Sequence, residues 1–298
     1  GTFLVWSGKN KLFFISPKKF LKKVKKQASF HFCLQPVGLW CIFVVCCLKK
    51  MLLKLILDIG NTRTKLAVFA GIRLKDLFVT ENFSLELLTK VVKKHPGICS
   101  AILSAVKDYP KEADTLLRTA FYFIKLDSRT PLPVKILYKS PQTLGNDRIA
   151  IAAASRALFP GQNVLAIDAG TTITYDFVNK NGEYLGGGIS PGIRMRLKSL
   201  HTFTGKLPLI KQVFHTVDLV GTDTQSSILS GVLQGTLKEV DGIISTYKTR
   251  YTGLKVVLSG GDEKYFDKRL KNNIFASPNF VLKGLKEILD YNQEKKKE

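Results

Sequence analysis

"ILDIGNTRTKLAVF", residues 56–69, decides the fold. An apolar run reaches Asp58, turns through Gly60 and Asn61, and resumes as a second apolar strand. Gly and Asn accept the backbone angles of a tight turn, so a plain β-hairpin accounts for the pattern. A phosphate cradle accounts for it too. Glycine lets backbone N–H groups approach an anion, Thr and Asn add neutral donors, and a carboxylate at the strand end holds a cation that screens the phosphate charge.

The pattern returns in "NVLAIDAGTTITYDFV", residues 163–178, with Asp168, Gly170, Thr171 and Thr172 in the corresponding places. Two copies favour the cradle over an incidental hairpin. They predict an α/β protein of two like domains, residues 51–162 and 163–298, facing a central cleft where a ligand binds. A third glycine turn, "SGGD" at 259–262, follows an apolar strand and opens a helix. It suits a ribose or flat ring lying against backbone. Asp262 reads equally as the N-cap of that helix.

The intervening chain alternates in the same manner. "SLELLTKVVKKH", "EADTLLRTAFY" and "IAIAAASRALF" carry helical spacing, "ICSAILSAV" reads as a strand, and Pro160-Gly161 ends the alanine-rich helix. The long stretch "TQSSILSGVLQGTLKEVDGIISTYKTRY" is helical, its apolar stripe serving either core or a dimer face.

Composition sets residues 1–50 apart. The chain carries a formal charge of +23, and ten of those charges come from ten lysines in its first fifty residues, which contain no acid. Both tryptophans and Cys33, Cys41, Cys46 and Cys47 lie there; only Cys99 lies beyond. The apolar run "VGLWCIFVVCCL" ends in lysines, without the small-residue cleavage site of a secretory signal, and is shorter than the ~20 residues of a membrane span. We read 1–50 as a leader, upstream translated sequence without an evolved fold. A domain with one cysteine then fits a reducing cytoplasm. The histidines have no metal-ligand spacing.

Taken in order, "DIGNT" (58–62), "GNDR" (145–148), "DAGTT" (168–172), "GGGISPG" (186–192), "GTDT" (221–224) and "SGGD" (259–262) resemble the type III pantothenate kinases. These belong to the acetate kinase, sugar kinase, Hsp70 and actin superfamily. The resemblance runs from Met51 to about Asn292. It implies two ribonuclease H-like (actin-like ATPase) domains and ATP-dependent phosphorylation of pantothenate to 4′-phosphopantothenate, the first committed step toward coenzyme A. It further implies a cytoplasmic homodimer using Mg²⁺ and a monovalent cation, K⁺ or NH₄⁺, with no membrane or nucleic-acid partner. By the same resemblance Asp58, Ile59, Gly60, Asn61, Thr62, Arg63, Thr64 and Lys65 form the first phosphate loop, with Asp58 near Mg²⁺. Asp168 takes the monovalent cation, while Thr171, Gly260 and Gly261 contact ATP. Asp147 is the proton acceptor, and Tyr138, Gly145, Asn146, Asp147, Arg148 and Thr224 contact the substrate. Asn146 departs from the family, which usually has a small apolar residue there.

Each of these positions also has a plainer reading. Asp147 stands where an N-cap would, Arg148 suits a solvated first helical turn as well as a substrate carboxylate, and Tyr138 suits strand filling. Two other functions compete: a catalytically silent relative acting as an accessory or nucleic-acid-associated protein, and a same-fold kinase for another small alcohol.

Overall fold

The computed structural model describes residues 3–7, 11–15, 52–211 and 217–296. The chain divides into two units, residues 1–49 and 50–298. In the first, β1 (Phe3–Ser7) and β2 (Lys11–Ile15) pair antiparallel. The rest of the stretch read as a leader lies outside the described residues.

The second unit holds two sheets of one design. In the first, β3 (Leu53–Ile59), β4 (Thr64–Ala70) and β5 (Arg73–Thr80) form an antiparallel meander, with β6 (Ile98–Ala105) and β7 (Tyr122–Lys125) added parallel on the β3 side. In the second, β9 (Val164–Ala169), β10 (Thr172–Val178) and β11 (Glu183–Pro191) repeat the meander, and β12 (Lys255–Ser259) and β13 (Phe275–Ala276) repeat the parallel addition. The five strands in common run 5-4-3-6-7 and 11-10-9-12-13, and the second sheet adds a sixth strand beside β11. The internal repeat seen in the sequence therefore extends to the whole sheet. The α/β fold with two sheet-bearing domains is as expected.

Helices cover the sheets because each strand alternates buried faces. On the outside of the first sheet, α1 (Leu85–Lys94) and α2 (Lys111–Ala120) bury Leu88, Val91, Ala113 and Leu117 against Leu55, Leu57, Leu66 and Leu103. Outside the second, α4 (Ile193–Thr202) and the long α5 (Thr224–Arg250) pack on Leu165, Ile167, Tyr175 and Phe177. Between the sheets lie α3 (Asn146–Leu158) and the C-terminal α7 (Phe280–Lys295), sharing a core with Ile56, Phe69, Ile102, Val178 and Tyr184.

Sequence order and sheet membership part company in two places. The short β8 (Lys135–Ile136), upstream of residue 162, pairs parallel with β11 in the second sheet. Conversely, α7 from the chain's end packs on β3 and β6 of the first. There Asp290 is paired with Lys54 of β3 and, at 2.8 Å, with Lys286. Helices α3 and α7 cross closely: a Cβ on Gly284 would lie 1.8 Å from the Ala150 carbonyl oxygen. No side chain fits that crossing.

Candidate active site

The two repeated hairpins meet at their loops, where the Thr62 and Thr171 hydroxyls are 3.4 Å apart. The first loop closes with the Gly60 N–H donating to the Arg63 carbonyl at 3.1 Å, the second with the Gly170 N–H donating to the Thr172 carbonyl at 2.9 Å. Thus four residues separate β3 from β4, while the second turn is tighter. Asn61, Thr62, Arg63 and Thr171 are exposed at the tips. Ile59 and Thr64 are buried, so they offer a ligand only backbone groups.

Behind the tips, Asp58 and Asp168 are the penultimate residues of equivalent strands. On the parallel neighbour Asp58 faces Ser104, and Asp168 faces Ser259. Across the hairpin Asp58 faces Lys65, whereas Asp168 faces Thr174. Burial pushes each carboxyl up to about 6; Lys65 pulls both down and Asp147 pushes both up. Asp58 is raised further by Asp168, and Asp168 by Asp176. Asp58, Asp147 and Asp168, carboxylates from three different elements, are thus electrostatically linked, and Lys65 acts on Asp58 and Asp168. They are spread out: among the described residues no three His, Cys, Asp or Glu side chains are close enough to hold one ion.

The second hairpin is gripped from both sides by glycine. Gly192 donates its N–H to the Thr171 carbonyl, and a Cβ there would lie 2.1 Å from the Gly170 oxygen. Gly260, at φ +107°, presses on Ala169, whose carbonyl oxygen a Cβ would meet at 2.2 Å. Asp262 then donates its N–H to that Ala169 carbonyl. It occupies the N-cap position of α6 (Glu263–Phe266), but its side chain makes no capping bond. Burial raises the Asp262 carboxyl, opposed by Arg194 and Arg63. Gly261 beside it is exposed, with open space around its α-carbon.

Residues 145–148 form the start of α3, and here two plainer readings are corrected. Gly145, not Asp147, is the N-cap; Asp147 lies inside the first turn, exposed, with Oδ1 accepting the Arg148 N–H at 2.9 Å. The glycine leaves that carboxylate its place, since a Cβ on Gly145 would lie 2.4 Å from Asp147 Oδ1. Arg148 is not a solvated surface residue. It is buried, its Nε donating to Asp176 Oδ1 at 2.7 Å, with the Tyr138 and Tyr184 rings 5.8 and 5.9 Å from the guanidinium. Tyr138 is thus brought to Arg148. Asn146 reaches toward the Leu126 carbonyl at 3.5 Å, a marginal hydrogen bond.

Thr224 stands apart. It is the exposed first residue of α5, after the Asp223 N-cap and its capping box with Ser226, and among the described residues no hydrogen bond joins it to Tyr138 or Arg148. Sequence reading missed Asp176, a carboxylate inside the apolar run of β10. Its isolation in "ITYDFV" was the available signal. A separate open cavity of about 360 Å³ lies along β7, lined by Arg118, Tyr122, Lys125 and Arg129, and holds none of the three carboxylates.

The profile of the type III pantothenate kinase family matches residues 54–246. A type III pantothenate kinase of Christiangramia forsetii is 43% identical over 243 residues, covering 81% of this chain and 99% of its own length. The chain belongs to the type III pantothenate kinase family. Another family member, from Bacteroides fragilis, is 45% identical and covers 80% of this chain and 98% of itself. In structure, a Baf family protein from Campylobacter jejuni, 21% identical, aligns with a TM-score of 0.51 over 80% of this chain and 99% of its own. That likeness concerns the fold. Both pantothenate kinase relatives align over nearly their full lengths, so the chain contains a whole family domain, and the two hairpins lie within the part that the profile matches. No helix among the described residues is long and apolar enough to cross a membrane.

Proposed function

We infer that the chain transfers the terminal phosphoryl group of ATP to the primary hydroxyl of pantothenate, as a type III pantothenate kinase. The observation that carries the site assignment is that Asp58 and Asp168, each acted on by both Lys65 and Asp147, lie behind the two touching hairpin loops. Phosphoryl transfer is mostly positioning plus charge stabilisation, and this arrangement supplies both.

The loop N–H groups of 60–63 and 170–172, with the Thr62 and Thr171 hydroxyls, hold the phosphate chain. Lys65 lies within electrostatic reach of Asp58 and Asp168, on the side where phosphate charge accumulates. Gly260 and Gly261 offer backbone to the nucleoside. Asp147 accepts the proton of the acceptor hydroxyl, and its exposure leaves it accessible to that hydroxyl. Arg148 takes the substrate carboxylate with Tyr138 beside it, and residues 145–146 complete that end of the acceptor site.

The donor set fits cations. Two carboxylates raised by burial and by neighbouring carboxylates are relieved by positive charge, and Mg²⁺ in kinases needs only one or two carboxylates besides phosphate and water. Asp58 would hold Mg²⁺ and Asp168 the monovalent cation, K⁺ or NH₄⁺. Bound there, such ions would neutralise charge on the transferring phosphoryl group. We place the reaction in the cytoplasm and in a homodimer, as the family resemblance implies. Phosphorus NMR of the product tests the reading: a new monophosphate ester on the primary carbon supports it, and phosphate on the secondary hydroxyl or none on pantothenate overturns it.

A further inference from the structure

Asp176 has no part in the reaction as described, yet it is the most enclosed carboxylate of the second sheet. It is fully buried and accepts three hydrogen bonds: Arg148 Nε at 2.7 Å and the Tyr184 hydroxyl at 2.8 Å on Oδ1, and the Thr174 hydroxyl at 2.8 Å on Oδ2. The arginine it holds is incompletely used. Arg148 Nη2 is buried and has no hydrogen-bond partner among the described residues, beside the Tyr138 and Tyr184 rings. A buried guanidinium N–H without an acceptor is costly, and stability alone would favour a second acceptor or an apolar residue here.

We propose that Asp176 is a positioning residue that fixes Arg148 by its Nε edge and so keeps Nη2 unpaired for the carboxylate of the acceptor substrate. Asp176 thereby sets the preference for an acidic over a neutral acceptor. Tyr184 shares Oδ1 with Arg148 and Thr174 holds Oδ2, so three of the roughly four acceptor sites are used and the carboxylate is tethered against a swing that would cover Nη2. A free guanidinium would sample many rotamers and pair with water; this one is held in one orientation before substrate arrives. Recognition then depends on a residue 28 positions away on another element.

The inference rests on the reading of Arg148 as the carboxylate contact, and the experiment separates the two. The probes are pantothenate and pantothenol, in which the carboxylate is replaced by a neutral hydroxymethyl group, and the readout is the ratio of their kcat/KM values. Asp176→Asn keeps shape and removes the charge. Its expected effect is a fall of about tenfold in the preference for pantothenate, the size of one charge-assisted hydrogen bond, carried by KM for pantothenate while KM for ATP holds. Tyr184→Phe, which removes one bond to Asp176 and keeps the ring, is expected to shift the ratio the same way by less, and it carries the test where Asp176→Asn does not fold. A ratio unchanged in these variants, with both substrates losing equally, assigns Asp176 to stability alone and overturns the proposal. A ratio unchanged in Arg148→Lys overturns the carboxylate reading itself.

Discussion

Asp58 and Asp168 are the same residue of one strand-turn-strand unit used twice: each is the penultimate residue of the first strand of its meander and faces a serine, Ser104 or Ser259, on the parallel neighbour. The copies differ opposite the carboxylate, where the first has Lys65 and the second Thr174. The duplication thus supplies two glycine-turn loops with a lysine opposite only one of the two carboxylates.

The raised carboxyls make stability depend on pH. In the fold Asp168 holds its proton to about pH 6, against 3.8 for its ordinary value. The native state binds the extra proton between those values, so this group's contribution to stability falls as pH rises through that window and remains unfavourable above it. Asp168→Asn is expected to be more stable than the parent at pH 8 without ATP or added cations, by on the order of 2 kcal/mol, and to match it near pH 4. Urea denaturation at the two pH values checks this; a variant no more stable at pH 8 refutes the burial argument.

Asp147→Asn removes the proposed proton acceptor from an exposed position in the first turn of α3. Turnover is expected to drop by about 10²–10⁴-fold with melting temperature and ATP binding retained. Near-normal turnover would take Asp147 out of the chemistry. Gly145→Ala is a gentler version, since the new Cβ displaces only the Asp147 carboxylate and its flexible end can move. It should lower kcat with little change in stability.

Gly284→Ala places a methyl against the backbone of Ala150, which cannot yield as a side chain does. The α3–α7 crossing must open, at a cost of about 1–3 kcal/mol. Because α3 carries Asp147 and Arg148 in its first turn, the variant should lose activity together with stability, read as a lower denaturation midpoint. An unchanged midpoint would contradict the packing described.

Much of this was legible in the sequence for a physical reason. Hairpins and glycine turns are local, so apolar alternation broken by Gly60 or Gly170 reports them directly. The Arg148–Asp176 pair is not local. Nothing in "GNDR" distinguishes a buried arginine from a surface one until β10 brings Asp176 beneath it. The cap of α3 was misread because Asp is a favoured capping residue, yet Gly145 takes that place and leaves Asp147 facing outward. The packing of α7 on the first sheet depends on a helix at the far end of the chain, and only tertiary structure reveals it.

Truncation at Met51 removes the lysine-rich stretch and leaves the part that matches the family. The shortened chain is expected to keep its kcat/KM for pantothenate to within about twofold, since a compact unit with its own core functions alone. Aggregation or loss of turnover would assign residues 1–50 a role.

The most direct test of the central claim is ADP release with ATP, Mg²⁺ and pantothenate, compared between buffers holding only sodium and buffers holding potassium or ammonium. The site built around Asp58, Asp147 and Asp168 predicts pantothenate-dependent release that rises sharply with potassium or ammonium and is lost in Asp147→Asn. Binding of ATP without pantothenate-dependent release in any of these buffers would contradict it.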